Sequence, residues 1–443
     1  MKKYGLIGEH LTHSFSKEIH EAIADYRYDL IPLDHEAFHS FMAKRDFEAI
    51  NVTIPYKKDV IPYLDELDEA ARAIGAVNTV VNRGGKLYGY NTDFTGFQYM
   101  VRKHGVQMAG KKVLVIGNGG ASAAIQAVVH REGAAQMVIV DIVEGSGAIS
   151  YEECFRSHCD AQIIINTSPV GMYPHTDAAP VDLERFPQCE AVMDVIYNPL
   201  ITRLCLQARE KGMIHVNGLE MLVAQAKQAV EHFLTKQIPD DVIDTIYRRI
   251  VRERCNIVLI GMPSAGKSTL GQETAQRCGK RFADMDEEIV AAAQMHIPQI
   301  FATEGEAGFR ARESAMAAEL AKQNGLVIST GGGVIKNKAN IDALRMNGVL
   351  FFIDRDLSLL ISTDKNRPLS SSKEAVEKMY AERIALYRSY ADAIIDNNDA
   401  IETAVESILK RYEECMNKAL SRKKKGSYSH DHYYQEKCQS ERS

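Results

Sequence analysis

Two glycine-rich loops, each set between an apolar run and a helix-like pattern, constrain this chain more than any other feature. The second loop, at residues 261–269, reads Gly-Met-Pro-Ser-Ala-Gly-Lys-Ser-Thr and fits the pattern G-x-x-x-x-G-K-[ST]. The first loop, at residues 117–121, reads Gly-Asn-Gly-Gly-Ala. A strand that runs into such a loop and then into a helix directs backbone N–H groups at phosphate oxygens. The sequence therefore predicts two nucleotide-binding units in tandem.

Composition narrows the class of protein. A chain of 443 residues has room for two or three domains with ample core. The net charge of −6 gives no general reason to expect nucleic-acid binding. The eight cysteines form no C-x-x-C pair, which favours reduced thiols in a cytoplasmic protein. No apolar run approaches the ~20 residues that span a bilayer, so no membrane partner is expected.

Strand-like runs alternate with helical patterns throughout the chain. This alternation predicts an α/β protein whose parallel sheets are covered by helices. Apolar runs mark the expected strands, at 4–8, 49–54, 112–116, 137–140, 163–165, 191–195, 257–260, 326–329 and 349–353.

The runs group into several predicted domains. We expect an N-terminal α/β substrate domain at 1–98, completed by about 218–237, and a Rossmann-type NAD(P)-binding domain at 99–217. The polar stretch 238–254 is interpreted as a helical connector, or as the last helix of the first unit plus a short linker. A P-loop domain with a parallel sheet follows at 255–413. Residues 414–443 are expected to form a disordered, solvated tail.

The first glycine loop is typical of dinucleotide binding. Its glycines allow a tight turn and close approach of the backbone to a pyrophosphate at the helix N-terminus. A ligand-free strand–helix turn is the alternative. Asp141 ends the next apolar run, where a carboxylate can bind the ribose hydroxyls and repel a 2′-phosphate; this favours NAD over NADP. An aspartate that only forms a turn or caps a helix would give the same sequence pattern. The cofactor-binding residues proposed here are Gly117, Gly119, Gly120, Ala121 and Asp141.

Upstream of that loop, three polar clusters lie within one short span. They read Asn51-Val-Thr53-Ile-Pro-Tyr-Lys57, Gly75-Ala-Val-Asn78-Thr and Gly89-Tyr-Asn91-Thr-Asp93. Together they supply amide, hydroxyl, ammonium and carboxylate groups that suit a small polyhydroxylated acid. Each cluster alone has an ordinary explanation, because Lys57 could be a surface lysine and the asparagines could be turn formers.

Over residues 1–237 the chain resembles the shikimate dehydrogenase family. The motifs that carry the resemblance are Ser14-Phe-Ser16, 51–57, Asn78, Asp93, 166–172, 194–199 and 218–225. The resemblance implies that Lys57 and Asp93 are catalytic, that Gly218 contacts the cofactor, and that a further set of residues binds substrate: Ser14, Ser16, Asn51, Thr53, Asn78, Tyr197 and Gln225. It also implies a discontinuous first domain, because Gln225 would return to the pocket.

The reaction implied is reversible hydride transfer between a nicotinamide and the carbonyl of 3-dehydroshikimate. A lysine partnered by a carboxylate suits the accompanying proton transfer. Two features depart from the family. NADP-preferring members carry an Asn-Arg-Thr-like stretch where this chain has Asp141-Ile-Val, and the stretch between Asp141 and Asn166 is shorter than usual. Either a helix alone or a helix and a strand is expected to be missing there.

The second unit contains a broader set of charged residues around its loop. Asp284 and Asp286 supply two carboxylates beyond a predicted strand, one suited to Mg²⁺ and the other to an acceptor hydroxyl. Arg310 offers a guanidinium for a carboxylate. The Thr330-Gly-Gly-Gly333 segment allows close backbone approach to a ligand. Arg367 lies in a serine- and lysine-rich stretch that could form a lid, and Arg383 falls on a helix. Each arginine could instead form a surface ion pair.

Across about 255–412 this set resembles shikimate kinase. The resemblance implies that shikimate is bound by Asp286, Arg310, Gly332, Gly333 and Arg383. It assigns the phosphoryl chemistry to Lys267, Asp286 and Arg367, the metal to Ser268 and Asp284, and the nucleotide to Gly261, Ala265, Gly266, Lys267, Ser268 and Thr269. Relatives commonly carry a further arginine before the lid, near the adenine, and this chain has 359–364 (Leu-Leu-Ile-Ser-Thr-Asp) there.

The two interpretations share one metabolite, because the product of the first reaction is the substrate of the second. We therefore expect a bifunctional enzyme that uses NAD or NADP, ATP and Mg²⁺, acts on small molecules and could form a homo-oligomer. A quinate/shikimate dehydrogenase fused to a small-molecule kinase is the alternative enzyme. A catalytically silent sensor is the alternative of another class; Lys57, Asp93, Lys267 and Asp286 argue against it.

Overall fold

The computed structural model of the chain contains three β-sheets. It describes residues 3–11, 14–143, 145, 147–360 and 373–421. Two sheets have six strands and the third has five, and helices pack on them. This is the α/β class that the sequence predicts.

The first sheet is mixed, with strand order β2-β1-β3-β5-β6-β4. β1 pairs in parallel with β2 and β3, whereas β3–β5 and β5–β6 are antiparallel. The expectation of parallel sheets throughout is therefore wrong here. The cause is a tight turn at Gly84 and Gly85, whose φ angles of 62° and 91° are those of a two-residue hairpin loop. The elements are β1 Tyr4–Gly8, α1 Ser16–Ile23, β2 Tyr28–Pro32, α2 His35–Lys44, β3 Ala49–Val52, β4 Glu66–Leu67, α3 Glu69–Ile74, β5 Thr79–Arg83 and β6 Lys86–Tyr90.

The second sheet is parallel, in the order β12-β11-β10-β7-β8-β9. Its central strands are continuous apolar runs because helices cover both faces. The shortened stretch after Asp141 contains only a two-residue strand and a seven-residue helix. The elements are α4 Thr92–Lys103, β7 Lys112–Ile116, α5 Ser122–Arg131, β8 Gln136–Val140, β9 Ala148–Ile149, α6 Tyr151–Ser157, β10 Ile163–Asn166, β11 Ala191–Asp194, α7 Arg203–Glu210, β12 Ile214–Val216 and α8 Leu219–Leu234.

The third sheet is also parallel, in the order β14-β15-β13-β16-β17. The second glycine loop joins its central strand, β13, to α10. α12 is interrupted at Gly305, which has φ 69°. The elements are α9 Asp241–Arg254, β13 Asn256–Ile260, α10 Lys267–Cys278, β14 Arg281–Asp284, α11 Met285–Ala293, α12 Ile297–Ala321, β15 Leu326–Ser329, α13 Lys338–Asn347, β16 Gly348–Asp354, α14 Leu357–Leu360, α15 Lys373–Tyr390, β17 Ala393–Asp396 and α16 Ile401–Ser421.

Helix α8 connects the second sheet back to the first. It packs along α4, and its Ala229 and Phe233 join the apolar cluster formed by Tyr4, Leu6 and Tyr28. The chain thus passes through the second sheet and returns to the first before it continues.

The junction between the first two sheets and the third is very short. α9 ends at Arg254 and β13 begins at Asn256, so only Cys255, which is 5% exposed, lies between them. One apolar cluster spans the junction, because Phe15, Ile19 and Leu219 belong to the same cluster as β13 and β16. No flexible linker lies between α9 and β13.

The C-terminal region departs from one expectation. The disordered tail was expected to begin at 414, but α16 continues to Ser421, with Tyr412 and Met416 buried. Apolar residues on one face of α16 pack against the third sheet, and this packing extends the helix. The rest of the expected tail, 422–443, and Arg367 in the expected lid lie outside the described residues.

Candidate active sites

A buried ion pair lies at the centre of the first polar site. Lys57 Nζ is 2.6 Å from Asp93 Oδ2, and both side chains are 11% exposed. Lys57 follows β3, and Asp93 lies in the first turn of α4, whose N-cap is Asn91. Because two elements distant in sequence supply the pair, the ammonium and carboxylate reach each other only in the folded chain. The pair can deliver and accept a proton in a site sheltered from water.

A network of amides and hydroxyls lies near this pair. Asn51 Nδ2 donates to Thr79 Oγ1 at 3.0 Å, and Asn78 Nδ2 donates to Thr92 Oγ1 at 3.1 Å. Thr92 Oγ1 donates in turn to Gln225 Oε1 at 3.3 Å. α8 therefore does bring Gln225 to the other predicted residues. Such a network presents several donors and acceptors that suit a ligand with multiple hydroxyls.

The turn that carries Ser14 and Ser16 contacts Tyr197 through the ring of Phe15. Ser14 Oγ accepts a hydrogen bond from the Ser16 N–H at 3.2 Å, at the start of α1. The Phe15 ring lies 5.1 Å from the Tyr197 ring. Tyr197 lies in a turn fixed by the buried Asp194, which accepts hydrogen bonds from the Ile196 N–H and from the Thr202 hydroxyl. Burial raises the pKa of Asp194 to about 6.

The first glycine loop is open on the side that faces Lys57. Among the described residues, a Cβ added at Gly119 would meet nothing within 4 Å, and one at Gly120 would lie 3.8 Å from Lys57 Cδ. Gly117, with φ 95°, instead packs tightly against Ser168. The loop at the N-terminus of α5, which begins after Ala121, thus lies beside the ion pair. A dinucleotide held there would place its reactive end near Lys57.

Two other proposed cofactor residues make structural contacts. Asp141 follows β8, and its carboxylate accepts hydrogen bonds from the Asn118 N–H at 2.6 Å and from the Val143 N–H at 3.0 Å. Asp141 therefore ties the glycine loop to the next turn, and each oxygen can still accept a second hydrogen bond. Gly218 starts α8 against β11; a Cβ there would lie 1.9 Å from the Val195 carbonyl oxygen, so only glycine fits.

The second glycine loop encloses its own lysine. Lys267 Nζ donates to the carbonyls of Gly261 at 3.0 Å and Met262 at 2.9 Å. Ser268 Oγ donates to Asp284 Oδ2 at 2.5 Å, and Asp284 caps α11 through the Asp286 N–H. The loop glycines Gly261 and Gly266 have φ angles of 154° and 88°. The hydroxyl and carboxylate oxygens of Ser268 and Asp284 are hard ligands of the kind that Mg²⁺ binds, so the pair fits that ion.

The acceptor side of this site is a cavity of about 290 Å³. Arg310 Nη1 is 2.8 Å from Glu313 Oε2, and Arg383 Nη1 donates to the Gly332 carbonyl at 2.9 Å. Burial raises the pKa of Glu313. The cavity brings together most of the predicted second-site residues, which are Gly266, Lys267, Ser268, Thr269, Asp284, Asp286, Arg310, Gly332, Gly333 and Arg383.

Several residues at the two sites have no motif that points to them. Tyr28 donates its hydroxyl to Asn51 Oδ1 at 2.7 Å, and Tyr387 donates to the Gly332 carbonyl at 2.5 Å. Asn397, just after β17, donates to the Ala265 carbonyl at 2.7 Å. Arg355, just after β16, comes within 3.6 Å of a Cβ built at Gly266. β17 is far from the loop in sequence, so no local pattern indicates that the two are neighbours in the fold.

The fold and the sites define the class: a dinucleotide-binding α/β unit with a Lys–Asp pair, joined to a nucleoside-triphosphate-binding unit. Family comparisons agree. Residues 6–80 match the shikimate dehydrogenase substrate binding domain, and residues 263–413 match shikimate kinase.

Relatives and solved structures cover the first half. Shikimate dehydrogenase (NADP(+)) of Symbiobacterium thermophilum is 35% identical, with 54% of this chain and 92% of that protein covered. Shikimate dehydrogenase 1 from Peptoclostridium difficile is 32% identical, with a TM-score of 0.52 and coverage of 56% of this chain and 98% of that chain. The Thermus thermophilus enzyme in complex with NADP(H) and shikimate is 26% identical, with a TM-score of 0.51 and coverage of 56% and 99%. The chain belongs to the shikimate dehydrogenase family and carries a shikimate kinase region fused behind it.

Beyond the two sites, the part of the chain that the structure describes holds free thiols but no metal cluster and no membrane-spanning helix. No group of three or more His, Cys, Asp or Glu side chains there is arranged to hold a metal ion. No helix in the described ranges is long and apolar enough to cross a membrane. The seven cysteines of those ranges are all free thiols.

Proposed function

We propose that the chain catalyses two successive reactions. The first is the reversible NAD(P)-dependent reduction of 3-dehydroshikimate to shikimate, and the second is the ATP-dependent phosphorylation of shikimate to shikimate 3-phosphate. The observation that supports the first most strongly is the buried Lys57–Asp93 pair beside an open glycine loop. The second is supported by the cavity that unites Lys267, Asp286 and Arg310.

In the first reaction, Lys57 is the proposed proton donor. A nicotinamide, when bound, would supply the hydride for the carbonyl carbon. The Lys57 ammonium would donate the proton to the carbonyl oxygen. Asp93 holds the ammonium at 2.6 Å and orients it. The substrate carboxylate is assigned to Ser14, Ser16 and Tyr197. The ring hydroxyls are assigned to the amide and hydroxyl network of Asn51, Thr53, Asn78 and Gln225.

In the second reaction, the site positions two substrates and neutralises charge. Asp286 is proposed to orient the acceptor hydroxyl, while Arg310 and Arg383 bind the carboxylate near the Gly332 and Gly333 backbone. The loop backbone and Lys267 bind the phosphates of ATP, and Arg367 would act from the lid. Ser268 and Asp284 would hold Mg²⁺, which shields phosphate charge when it is bound. Phosphoryl transfer depends mainly on such positioning and electrostatics.

Cofactor choice rests on Asp141. Two of the relatives reported above are described with NADP(+) or NADP(H). We propose that this chain accepts NAD as well and favours it, because the Asp141 carboxylate would repel a 2′-phosphate. The ratio of kcat/KM for NAD and NADP tests this. Asp141→Asn removes the charge and keeps one oxygen, which can accept from only one of the two N–H groups. The variant should shift the ratio toward NADP. An unchanged ratio would contradict the role of Asp141.

The domain boundaries follow the sheets. We propose a dehydrogenase substrate domain at 1–98 completed by 218–237, a Rossmann-type domain at 99–217, a connector at 238–254 and a kinase domain at 255–413. The connector is the α9 helix. The packing of α8 against α4 and the first sheet supports the discontinuous first domain.

A coupled assay tests the whole proposal. 3-Dehydroshikimate, ATP–Mg²⁺ and NADPH or NADH are mixed with the full chain, and both cofactor oxidation and ADP formation are followed. We expect both signals, with ADP formation dependent on the reduced cofactor. Added shikimate should restore ADP formation when the cofactor is left out. In folded protein, absence of cofactor oxidation would contradict the dehydrogenase half, and absence of ADP formation with added shikimate would contradict the kinase half.

Quinate oxidation is the alternative for the first half, because the proposed NAD preference also suits it. Quinate carries an additional hydroxyl at C1. Steady-state rates with shikimate and with quinate, each at saturating NAD and NADP, separate the two. A kcat/KM for quinate above that for shikimate would favour the alternative.

A further inference from the structure

The carboxylate end of the proposed dehydrogenase pocket touches the connector and the kinase half. Phe15, between the two serines, is 7% exposed. The Arg254 guanidinium lies 4.6 Å from the centroid of the Phe15 ring, and Arg254 Nη2 is 2.7 Å from Glu18 Oε2 in the first turn of α1. Arg254 is the last residue of α9, one residue before the first strand of the kinase half. The serine turn is therefore clamped from the junction.

The neighbouring turn is held by the kinase half directly. The Leu200 N–H donates to Asn347 Oδ1 at 2.8 Å, and the Ile201 N–H donates to the Met346 carbonyl at 2.8 Å. Asn347 ends α13, is 2% exposed and is anchored through its Nδ2 on the Ala321 carbonyl at 2.9 Å. These bonds fix one end of the 194–202 turn, and Asp194 fixes the other.

The two turns meet through their rings, because Phe15 packs on Tyr197. Arg254 restrains the turn of Phe15, and Asn347 restrains the turn of Tyr197. The two residues therefore hold the same pocket edge. Two surface ion pairs, Arg209–Asp392 and Lys338–Glu210, lie along the same junction. Ion pairs this exposed contribute little; the buried amide and the stacked guanidinium carry more weight.

We propose that Arg254 and Asn347 are positioning residues of the dehydrogenase site: they hold the Ser14–Ser16 turn and the Tyr197 turn where the substrate carboxylate binds. The kinase half is then part of the scaffold of the other active site. This inference rests on the proposed assignment of the carboxylate to Ser14, Ser16 and Tyr197. Neither residue touches the reacting atoms, so the effect should appear in KM and leave kcat nearly unchanged.

The test uses the full chain and two matched pairs of variants. Arg254→Met keeps a long apolar stem and removes the guanidinium, and Arg252→Met is its control because Arg252 pairs with Glu413 instead. Asn347→Ala removes the acceptor for Leu200. Its control is Asn340→Ala, a buried amide of the same helix that bonds within the kinase half. Arg254→Lys tests rescue, since a lysine retains the charge.

We expect the dehydrogenase KM for shikimate to rise about three- to tenfold in Arg254→Met and Asn347→Ala, with kcat within about twofold. Arg254→Lys should recover part of the loss, and both controls should match the wild type. Methyl shikimate has no carboxylate charge. For this ester, the ratio of variant to wild type should therefore fall toward one, in KM if it is a substrate or in Ki if it is a competitive inhibitor. The kinase KM in Arg254→Met should stay within about twofold.

Unchanged shikimate KM in both variants would overturn the inference. So would an equal penalty for shikimate and its methyl ester, or an equal rise in the KM for the nicotinamide cofactor, since either would report general loosening. A wild-type chain with no activity on shikimate and NADP or NAD would contradict the proposed function itself. An active wild type with unaffected variants contradicts only the positioning roles.

Discussion

Glycine serves different purposes in the two halves of this chain. In the dehydrogenase loop, a Cβ at Gly119 would meet nothing within 4 Å in the described structure, and one at Gly120 would meet only side-chain carbons of Lys57 and Ile54, at 3.8 and 4.0 Å. In the kinase, a Cβ at Gly333 would lie 1.9 Å from Arg310 Nη1, and one at Gly332 would lie 2.8 Å from Pro263 Cδ. The first loop leaves room for a ligand, and the second segment is already filled by protein.

The two sites also differ in the number of cationic groups that they hold in place. The dehydrogenase site has one lysine paired with one carboxylate. In the kinase, Lys267 lies on two carbonyls, Arg310 on Glu313 and Arg383 on Gly332. A single proton transfer needs one well-placed acid, whereas a phosphoryl group needs several cations held in place beforehand. The halves should therefore respond differently to the loss of one group.

The largest expected effect is on the dehydrogenase. Lys57→Ala should lower its kcat by about 10²- to 10⁴-fold, because general acid–base catalysis contributes that much. Substrate affinity should change far less. Steady-state rates of both activities in the same preparation are the measurement, and the kinase should be unaffected. Lys58→Ala is the control, since Lys58 is the exposed neighbour. A kcat for Lys57→Ala within about tenfold of wild type would refute the acid–base role.

The next largest expected effect is on the kinase rate. Lys267→Met should lower the kinase kcat/KM by about 10²- to 10³-fold, because a preorganised charge at the transferred phosphoryl group is lost. The dehydrogenase should keep its rate. Lys378→Met, an exposed lysine of the same half, should leave both rates near wild type. A smaller loss than tenfold would show that the loop backbone supplies most of the charge stabilisation.

A matched glycine pair sharpens the contrast directly. Gly333→Ala should raise the kinase KM for shikimate roughly tenfold, because the added methyl group displaces the Arg310 guanidinium from the site. Gly120→Ala has room for its methyl group, so the protein should keep its thermal stability, and only the KM for the nicotinamide cofactor should rise. Thermal unfolding and both KM values are measured for each variant. If Gly120→Ala unfolds earlier than Gly333→Ala, the proposed contrast is wrong.

The smallest effect concerns acid stability. Burial lowers the pKa of His20 to about 3 and that of His232 to about 4, and both lie in the dehydrogenase half. The only histidine of the kinase half within the described residues is His296, which is exposed. Below pH ~6.5 an unfolded histidine takes up a proton that buried His20 does not, so stability falls with falling pH.

Between pH 6.5 and 5 this linkage amounts to about 2 kcal/mol for one such histidine. His20→Gln should therefore lose less free energy of unfolding than wild type between pH 7 and 5, as measured by urea denaturation. His175→Gln, at an exposed site, should keep the wild-type slope. Equal slopes in all three proteins would place the acid sensitivity elsewhere.

Local signals explain what the sequence could predict. Both glycine loops and their strands follow from runs of adjacent residues, and β7 has the predicted bounds of 112–116. The hairpin of β5 and β6 was missed, although the Gly84-Gly85 pair is a recognised turn signal. The Lys57–Asp93 contact could be expected only from the resemblance, because no periodicity links β3 to α4.

Contacts that depend on tertiary packing could not be predicted. Tyr28 reaches Asn51 only because β2 and β3 flank β1 in the sheet. Asn397 reaches the Ala265 carbonyl because β17 pairs with β16, which flanks the strand that leads into the loop. Arg254 and Asn347 are ordinary polar residues in the sequence, and only the junction gives them a neighbour in the other half.

The one-residue joint at Cys255 also bears on the lifetime of the protein. Proteases cut most readily at exposed, extended segments. Here a helix ends and a strand begins with a single buried residue between them, so the joint offers no such segment. Limited proteolysis should therefore spare this joint.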